Sequence, residues 1–272
     1  MSSHQNSFFI VFLFLIFSQK ISAGACCTSA ASFGVGRLLM WEKGAVGLNT
    51  SIARDLKYPF SIWRTEAFGM LGITERVSGF ALAPWVVPIR YEDDLSMNHN
   101  IGDVQSGIRY QAIHIGEYTG LPSLALTSTV TFPTGTPGSK SVPSTGRGIW
   151  ALGVGASLEK TWMPWFLQLN LGATFPVTEQ GAHYGHGGQI AIVGGRELPH
   201  DIVISGILGW LYEVPPASQF GHKTSIGMSL AYRFDPHFTW VASVSSDLPF
   251  KAFHAELPIQ TTVLTGLRCG IF

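Results

Sequence analysis

Residues 165–174 read WFLQLNLGAT, and an apolar residue recurs at every second position of this stretch. A β-strand turns successive side chains to opposite sides, so a segment of this kind has one apolar wall and one wetter wall. Residues 150–159 and 225–234 repeat the pattern. In the first stretch the apolar face is formed by Trp165, Leu167, Leu169, Leu171 and Ala173.

About twelve such stretches follow residue 43, and the connections between them alternate between long and short. The alternation predicts strands over 43–53, 65–73, 79–90, 102–115, 122–132, 148–160, 163–174, 188–197, 201–213, 224–234, 238–248 and 261–272. A transmembrane β-barrel has this rhythm because its periplasmic hairpins stay tight while its outer loops are free to grow. We therefore predict an all-β protein, a closed antiparallel barrel with an even number of strands over 43–272 and both termini on the periplasmic side.

The composition favours lipid as the outer solvent. Hydrophobic residues make up 46% of the chain and charged residues only 12%, roughly half the charged share of an ordinary globular domain. Lys plus Arg and Asp plus Glu both number 17, and this balance gives no indication of a nucleic-acid partner. The small residues of the polar faces suit an enclosed lumen better than the solvated surface of a soluble sandwich. We expect outer-membrane lipid to be a partner.

The N-terminus carries the features of a secretory signal. An apolar run from Phe8 to Phe17 is too short to span a bilayer as a helix and precedes small-residue cleavage sites after Ala23 or after Ala25. We predict a signal peptide over 1–23 and a periplasmic segment over 24–42, and hence a location in the bacterial outer membrane. Two alternatives stay open: the run is an N-terminal strand, or Cys26 is acylated as in a lipoprotein.

Aromatic residues are expected at the two membrane boundaries, where rings prefer to lie. The periplasmic group comprises Trp162, Trp165, Tyr232, Phe234, Phe238 and Trp240; the outer group comprises Phe132, Trp150, Phe175, Trp210 and Tyr212. The terminal Phe272 after an alternating strand is similar to the signal read by the outer-membrane assembly machinery, which makes that machinery a second expected partner. Pro84 and Pro88 remove ladder donors from the third strand, so a bulge or kink is expected there.

The middle of the chain resembles a known family. Residues 101–110 read IGDVQSGIRY, 121–126 read LPSLAL and 132–135 read FPTG. This arrangement is similar to the bacterial outer-membrane barrels named for the meta-pathway of phenol degradation, in which a Gly-Asp opens one strand and Pro-Thr-Gly ends the next. The resemblance implies a small transporter-like barrel that passes hydrophobic or aromatic compounds.

Polar residues on the inner faces are the candidates for functional contacts with a solute, because a wet lumen tolerates charge and its lining selects what passes. Turn chemistry explains Asp103 as well as a functional role does. By their parity in the predicted strands, the lumen-lining candidates are Asp103, Gln105, Arg109, Gln111, Glu159, Gln168, Asn170, Arg196 and Arg233.

Catalysis has one candidate, the pair His183 and His186. A metal site needs further converging donors, and a hydrolase needs a nucleophile bonded to its base; neither is readable, so we predict no catalytic residue, metal or cofactor. The sequence predicts an outer-membrane channel for small solutes, hydrophobic or aromatic ones included. The alternatives are a structural or surface-exposed barrel without a transport role, which a lumen filled by segment 24–42 would favour, and an outer-membrane hydrolase.

Overall fold

The structure, a computed structural model, describes residues 42–55, 60–90, 100–114, 120–136, 148–177, 186–214, 221–248 and 260–272. The predicted signal peptide, Cys26 and all of segment 24–42 except Glu42 lie outside the described residues. Within the described ranges, no helix is both long enough and apolar enough to cross a membrane.

Thirteen strands make up the described chain, and all of them belong to one sheet. They are β1 (Gly44–Asp55), β2 (Phe60–Gly72), β3 (Val77–Arg90), β4 (Asn100–Ile101), β5 (Gln105–Ile113), β6 (Ser123–Thr131), β7 (Ala151–Trp162), β8 (Trp165–Pro176), β9 (His186–Leu198), β10 (Ile202–Val214), β11 (Gly221–Arg233), β12 (Phe238–Asp247) and β13 (Gln260–Ile271).

The sheet closes on itself. Strand β1 pairs with β2 on one side and with β13 on the other, and every pairing is antiparallel. The short β4 and the longer β5 both pair with β3, so together they form the fourth strand of the barrel. The predicted closed antiparallel barrel of twelve strands is confirmed.

The two walls follow the alternation of the sequence. On β8 the side chains of Trp165, Leu167 and Leu171 are exposed on the outside, whereas Gln168 and Asn170 between them are buried inside. On β11, Ile226 and Met228 are likewise exposed. The exterior of the barrel is therefore formed largely by long apolar side chains, as in transmembrane barrels.

The two ends of the barrel differ in their connections. At one end, which we call the short-turn end, strands are joined through 73–76, 114–122, 163–164, 199–201 and 234–237, all but 114–122 of four residues or fewer, and β1 begins and β13 ends there. At the opposite, long-loop end, the connections include 91–99, 132–150 and 248–259. Aromatic rings pair on the outside at both ends: Phe234 stacks on Phe238 at the short-turn end, with centroids 5.9 Å apart, and Phe132 lies 5.0 Å from Trp150 at the other.

The irregularity expected from the prolines lies in the neighbouring strand and not in β3. Strand β3 pairs with β2 without a break through both Pro84 and Pro88. Opposite Pro84, however, the fourth strand is interrupted at residues 102–104, and its pairing resumes only at Ile101. Proline has no N–H to donate, so the partner bulges at this point, and Gly102 N donates instead to the Pro84 carbonyl at 2.7 Å.

The inner wall near the short-turn end carries two apolar clusters beside its polar residues. One buried cluster joins Phe166 and Val193 with Val203, Ala231 and Val241 across β8 to β12. A second joins Phe68, Met70 and Leu82 on β2 and β3. The lumen is therefore not uniformly polar, because packed hydrophobic side chains line part of it near the short-turn end.

Candidate functional site

A cavity of about 530 Å³ lies in the lumen, and its lining extends from Thr131 and Thr174 near the long-loop end to Met70 and Phe80 near the short-turn end. Its size falls within the range of small-molecule sites, which is about 300–1,000 Å³. Polar and small residues form most of the wall, while Met70, Phe80 and Pro84 give it an apolar side. Other lining residues include Arg64, Asp103, Gln105, Arg109, Thr127, Thr129, Thr131, Ile149, Gly153, Gly155, Ser157, Gln168, Asn170, Gly172, Thr174, Gln189, Leu211 and Tyr212.

The rim of the cavity is built by the interruption of the fourth strand. Asp103 Oδ1 accepts hydrogen bonds from Gly135 N at 2.9 Å and Gly148 N at 3.2 Å. Thr134 Oγ1 donates to the Gly102 carbonyl at 2.6 Å and accepts from Val104 N at 2.9 Å. The Gly-Asp and Pro-Thr-Gly motifs of the sequence analysis therefore bind each other at this rim.

Gly148 completes this rim because its backbone has φ of 62°, a conformation in which side chains with a Cβ are disfavoured. Asp103 accordingly holds both ends of the connection between β6 and β7. The sequence alone indicates that Asp103 takes part in a turn. In the structure it also joins the interrupted fourth strand to the connection between β6 and β7.

A network of neutral polar side chains lies on β7 and β8. Gln168 Nε2 donates to Ser157 Oγ and to Asn170 Oδ1, each at 3.0 Å. Gln168 and Asn170 expose only 3% of their surface each. Both border the cavity, as do the candidates Asp103, Gln105 and Arg109.

Three other candidates lie on the inner face but nearer the short-turn end. Glu159 is buried and pairs in register with Gln168. The side-chain amide of Gln111 donates to the Ile113 carbonyl at 2.8 Å, where it spans a bulge in β5. Arg233 forms an ion pair with Asp201 at 3.0 Å.

Arg196 is on the outer wall, so its predicted position in the lumen is wrong. It is exposed, and its guanidinium carbon lies 5.1 Å from the ring centroid of Trp165, an outward residue. Its charge led to the lumen prediction, although Arg196 has the parity of the outward Ile190 and Ile192 on β9. Near the end of a strand the outer wall leaves the hydrocarbon layer, and there a long cationic side chain can reach the polar interface.

Several cavity residues were not found from the sequence. Thr127, Thr129 and Thr131 occupy every second position of β6, and this alternation would have been enough to place them on the lumen side. Met70 and Phe80 could not be found in this way, because β2 and β3 carry large apolar residues on both walls.

A buried ion pair stands at the start of the barrel. Arg268 Nη1 donates to Glu42 Oε1 at 2.7 Å, and a second hydrogen bond joins Nη2 to Oε2. The Glu42 and Arg268 side chains are 0% and 7% exposed. A bidentate pair of this kind fixes geometry more than a single contact would, so the residue before β1 is held against the last strand.

The histidine pair of the sequence analysis is only partly within the structure. His183 lies outside the described residues, whereas His186 begins β9 and its ring lies 5.5 Å from that of Phe175. Among the described residues, no group of three or more His, Cys, Asp or Glu side chains could hold a metal ion.

A closed twelve-stranded barrel with an apolar exterior and a polar cavity defines the class of outer-membrane channel folds. The chain belongs to the family described as "Putative MetA-pathway of phenol degradation", whose model matches residues 35–252. The resemblance found from residues 101–135 is thereby confirmed. No curated protein matches the chain.

Solved structures of similar fold include channels and porins and the translocator domain of the autotransporter NalP from Neisseria meningitidis. The COG4313 outer membrane channel from Pseudomonas putida F1 has a TM-score of 0.64 at 13% identity, covering 84% of this chain and 94% of that one. The NanC porin has a TM-score of 0.55 at 7% identity, covering 82% and 98%. The CymD monoaromatic hydrocarbon channel has 0.52 at 9% identity, covering 93% and 98%. At these identities the likeness concerns the fold.

Proposed function

We propose that this barrel is an outer-membrane channel for small solutes, hydrophobic and aromatic ones included. The observation that carries the proposal is the cavity of about 530 Å³ inside a closed barrel. Its wall combines an apolar side at Met70 and Phe80 with threonine and carboxamide groups elsewhere. A site of mixed chemistry can admit a ring-sized apolar body and still orient it through a few polar contacts.

The family and the similar channels support this proposal without naming a solute for this chain. In this proposal, lipid surrounds the exposed apolar wall, and the long-loop end faces the outside of the cell. The side chains that line the cavity select which solutes pass. Phe272, whose ring meets His237 edge-on at 4.3 Å, follows the last strand and is the expected contact for the assembly machinery.

The test is uptake of p-xylene by bacteria with and without the barrel, together with a blocked variant. Gly155 is the suitable position, because a Cβ there meets only the Leu171 carbonyl at 3.1 Å and Thr127 Cβ at 3.9 Å. At Gly227, by contrast, a Cβ would lie 2.8 Å from the Val244 carbonyl and 2.9 Å from Ser245 Cβ. Gly155→Trp should keep the folded barrel and abolish the uptake that the wild-type chain adds. Equal uptake with and without the wild-type barrel would refute the proposal.

The second candidate is a structural barrel without transport. The two packed apolar clusters near the short-turn end favour it, because their side chains fill part of the lumen. Single-channel recordings of the refolded protein in planar bilayers separate the two candidates. A channel gives discrete current steps that Gly155→Trp reduces, whereas a structural barrel gives none.

A further inference from the structure

Two cationic side chains face outward near the short-turn end of the barrel. Arg196 is exposed near the end of β9, and Lys160 is half-buried near the end of β7. Each has the parity of the exposed apolar residues on its own strand, such as Leu152 on β7 and Ile192 on β9. No Asp or Glu occupies an outward position of β7, β8 or β9. This part of the outer wall is therefore positively charged.

The two cations are available to bind an anion. The guanidinium carbon of Arg196 lies 5.1 Å from the ring centroid of Trp165, and an arginine stacked on a ring keeps the N–H groups at its edge free to donate. Lys160 Nζ donates to the Leu121 carbonyl at 3.4 Å, which uses one of its three donors. The ion pairs found among the described residues involve other side chains.

The cations lie at the level of the aromatic belt. Trp162 and Trp165 are each 54% exposed, and Trp165 pairs in register with both Trp162 and Arg196. Tryptophan prefers the boundary between the hydrocarbon and the headgroups, so Arg196 is at the depth of lipid phosphates. Neighbouring strands are about 4.8 Å apart, which places Lys160 and Arg196, one on each side of β8, ~10 Å apart across the wall.

The outer wall is recessed next to Arg196, on the side toward the middle of the barrel. The next outward residue on β9 is Gly194, which pairs with the outward Gly206 on β10. A Cβ at Gly206 would meet nothing within 4 Å, and one at Gly194 only Leu167 Cδ1 at 3.8 Å. Ile192 borders the recess on its far side and is 43% exposed. An acyl chain lying in this recess gains dispersion contacts with its apolar walls.

We propose that Arg196 and Lys160 bind the headgroup of an anionic phospholipid, one of whose acyl chains lies in the recess at Gly194 and Gly206. The planar guanidinium of Arg196 donates to two phosphate oxygens, and the Lys160 ammonium attracts the same headgroup. Two positive charges without a neighbouring carboxylate disfavour the ammonium of a zwitterionic headgroup. The site is on the outer wall, so it is independent of the solute in the lumen. It rests on the part of the proposed function in which lipid surrounds the barrel.

The test compares two lipids with the same acyl chains. Dioleoyl phosphatidylglycerol carries one negative charge, whereas dioleoyl phosphatidylcholine adds a quaternary ammonium and is neutral overall. Native mass spectrometry of the full barrel in detergent micelles, titrated with each lipid, gives the dissociation constant of the first bound lipid. The charge variants are Arg196→Gln, Lys160→Gln and the two combined. Their control is Arg54→Gln, which removes an exposed outward arginine on β1 near the long-loop end.

The recess has its own variant and control. Gly206→Leu fills the recess without changing the charge. Gly69→Leu makes the same change at an outward glycine of β2, where a Cβ also meets nothing within 4 Å. Heat-modifiable gel mobility confirms that each barrel is folded.

Wild type should bind phosphatidylglycerol about 25-fold more tightly than phosphatidylcholine, because each cation beside an anionic lipid contributes about a fivefold factor. Each single charge variant should keep about a fivefold preference, the double variant none, and Arg54→Gln the full preference. Gly206→Leu should weaken the binding of both lipids, and Gly69→Leu should not.

Three results overturn this inference alone: equal binding of the two lipids by the wild type, a preference that survives in the double variant, or an equal loss in Arg54→Gln. Unchanged binding by Gly206→Leu overturns the position of the acyl chain. Binding of neither lipid by the wild type overturns the proposed lipid exterior as well.

Discussion

Replacing Val244 with Arg tests whether lipid surrounds the barrel. Val244 is 47% exposed on the outer wall of β12, four residues above Trp240 of the short-turn belt. At about 3.4 Å per residue and a tilt of about 40°, it lies ~10 Å from the level of that ring. The apolar band of such barrels is about 25 Å tall, so this position is near its middle, where an arginine costs about 2–4 kcal/mol.

The matched control is Ser245→Arg, one residue further along β12 and facing inward. Ser245 covers Gly227 on the inner wall, where a Cβ would lie 2.9 Å from Ser245 Cβ. A charge there is next to the wet lumen, so we expect a much smaller loss. Urea titration of barrels in liposomes, followed by tryptophan fluorescence, gives the free energy of unfolding for each. Equal losses, or a greater loss for Ser245→Arg, would refute lipid as the exterior.

Three further predictions concern the ion pair, the rim and the orientation. Glu42→Leu leaves the buried guanidinium of Arg268 without its carboxylate and should cost about 3–5 kcal/mol, most of which the double variant with Arg268→Leu recovers; urea titration of the single and double variants measures this. Thr134→Val removes both hydrogen bonds to the interrupted fourth strand and should cost about 1–3 kcal/mol, read as a lowered urea midpoint, with no change contradicting the rim contact. An epitope inserted within 137–147 should be labelled on intact cells, since loop tips tolerate insertion. One at 235–237 should not be labelled, and the opposite result would invert the barrel.

The sequence predicts the barrel well where its two walls differ in chemistry. On β8 every outward residue is apolar, so parity alone assigns Gln168 and Asn170 to the lumen side. On β2, Trp63 faces outward while Phe68 faces inward. Because large apolar residues occupy both parities, the alternation cannot tell the inner wall from the outer wall there. The apolar side of the cavity was missed for that reason.

The remaining errors come from interactions between distant parts of the chain. The interruption at 102–104 depends on a proline in the neighbouring strand and on Thr134, thirty residues away, as well as on local propensity. Arg196 was misplaced because its charge was assigned to the wet wall, although it has the parity of the outward Ile190 and Ile192. Strand number and facing follow from local chemistry, whereas bulges and rims follow from which segments meet.

The seam between β1 and β13 has a consequence for how the barrel closes. Gly44 pairs with Ile271 and Asp55 with Gln260, so the first and last of the described strands form one continuous ladder. Until that ladder forms, both strands present unpaired edges of the kind that promote aggregation. Contacts so distant along the chain close slowly. Removal of β13 should therefore leave β1 and β12 without a partner on one side and prevent the barrel from closing.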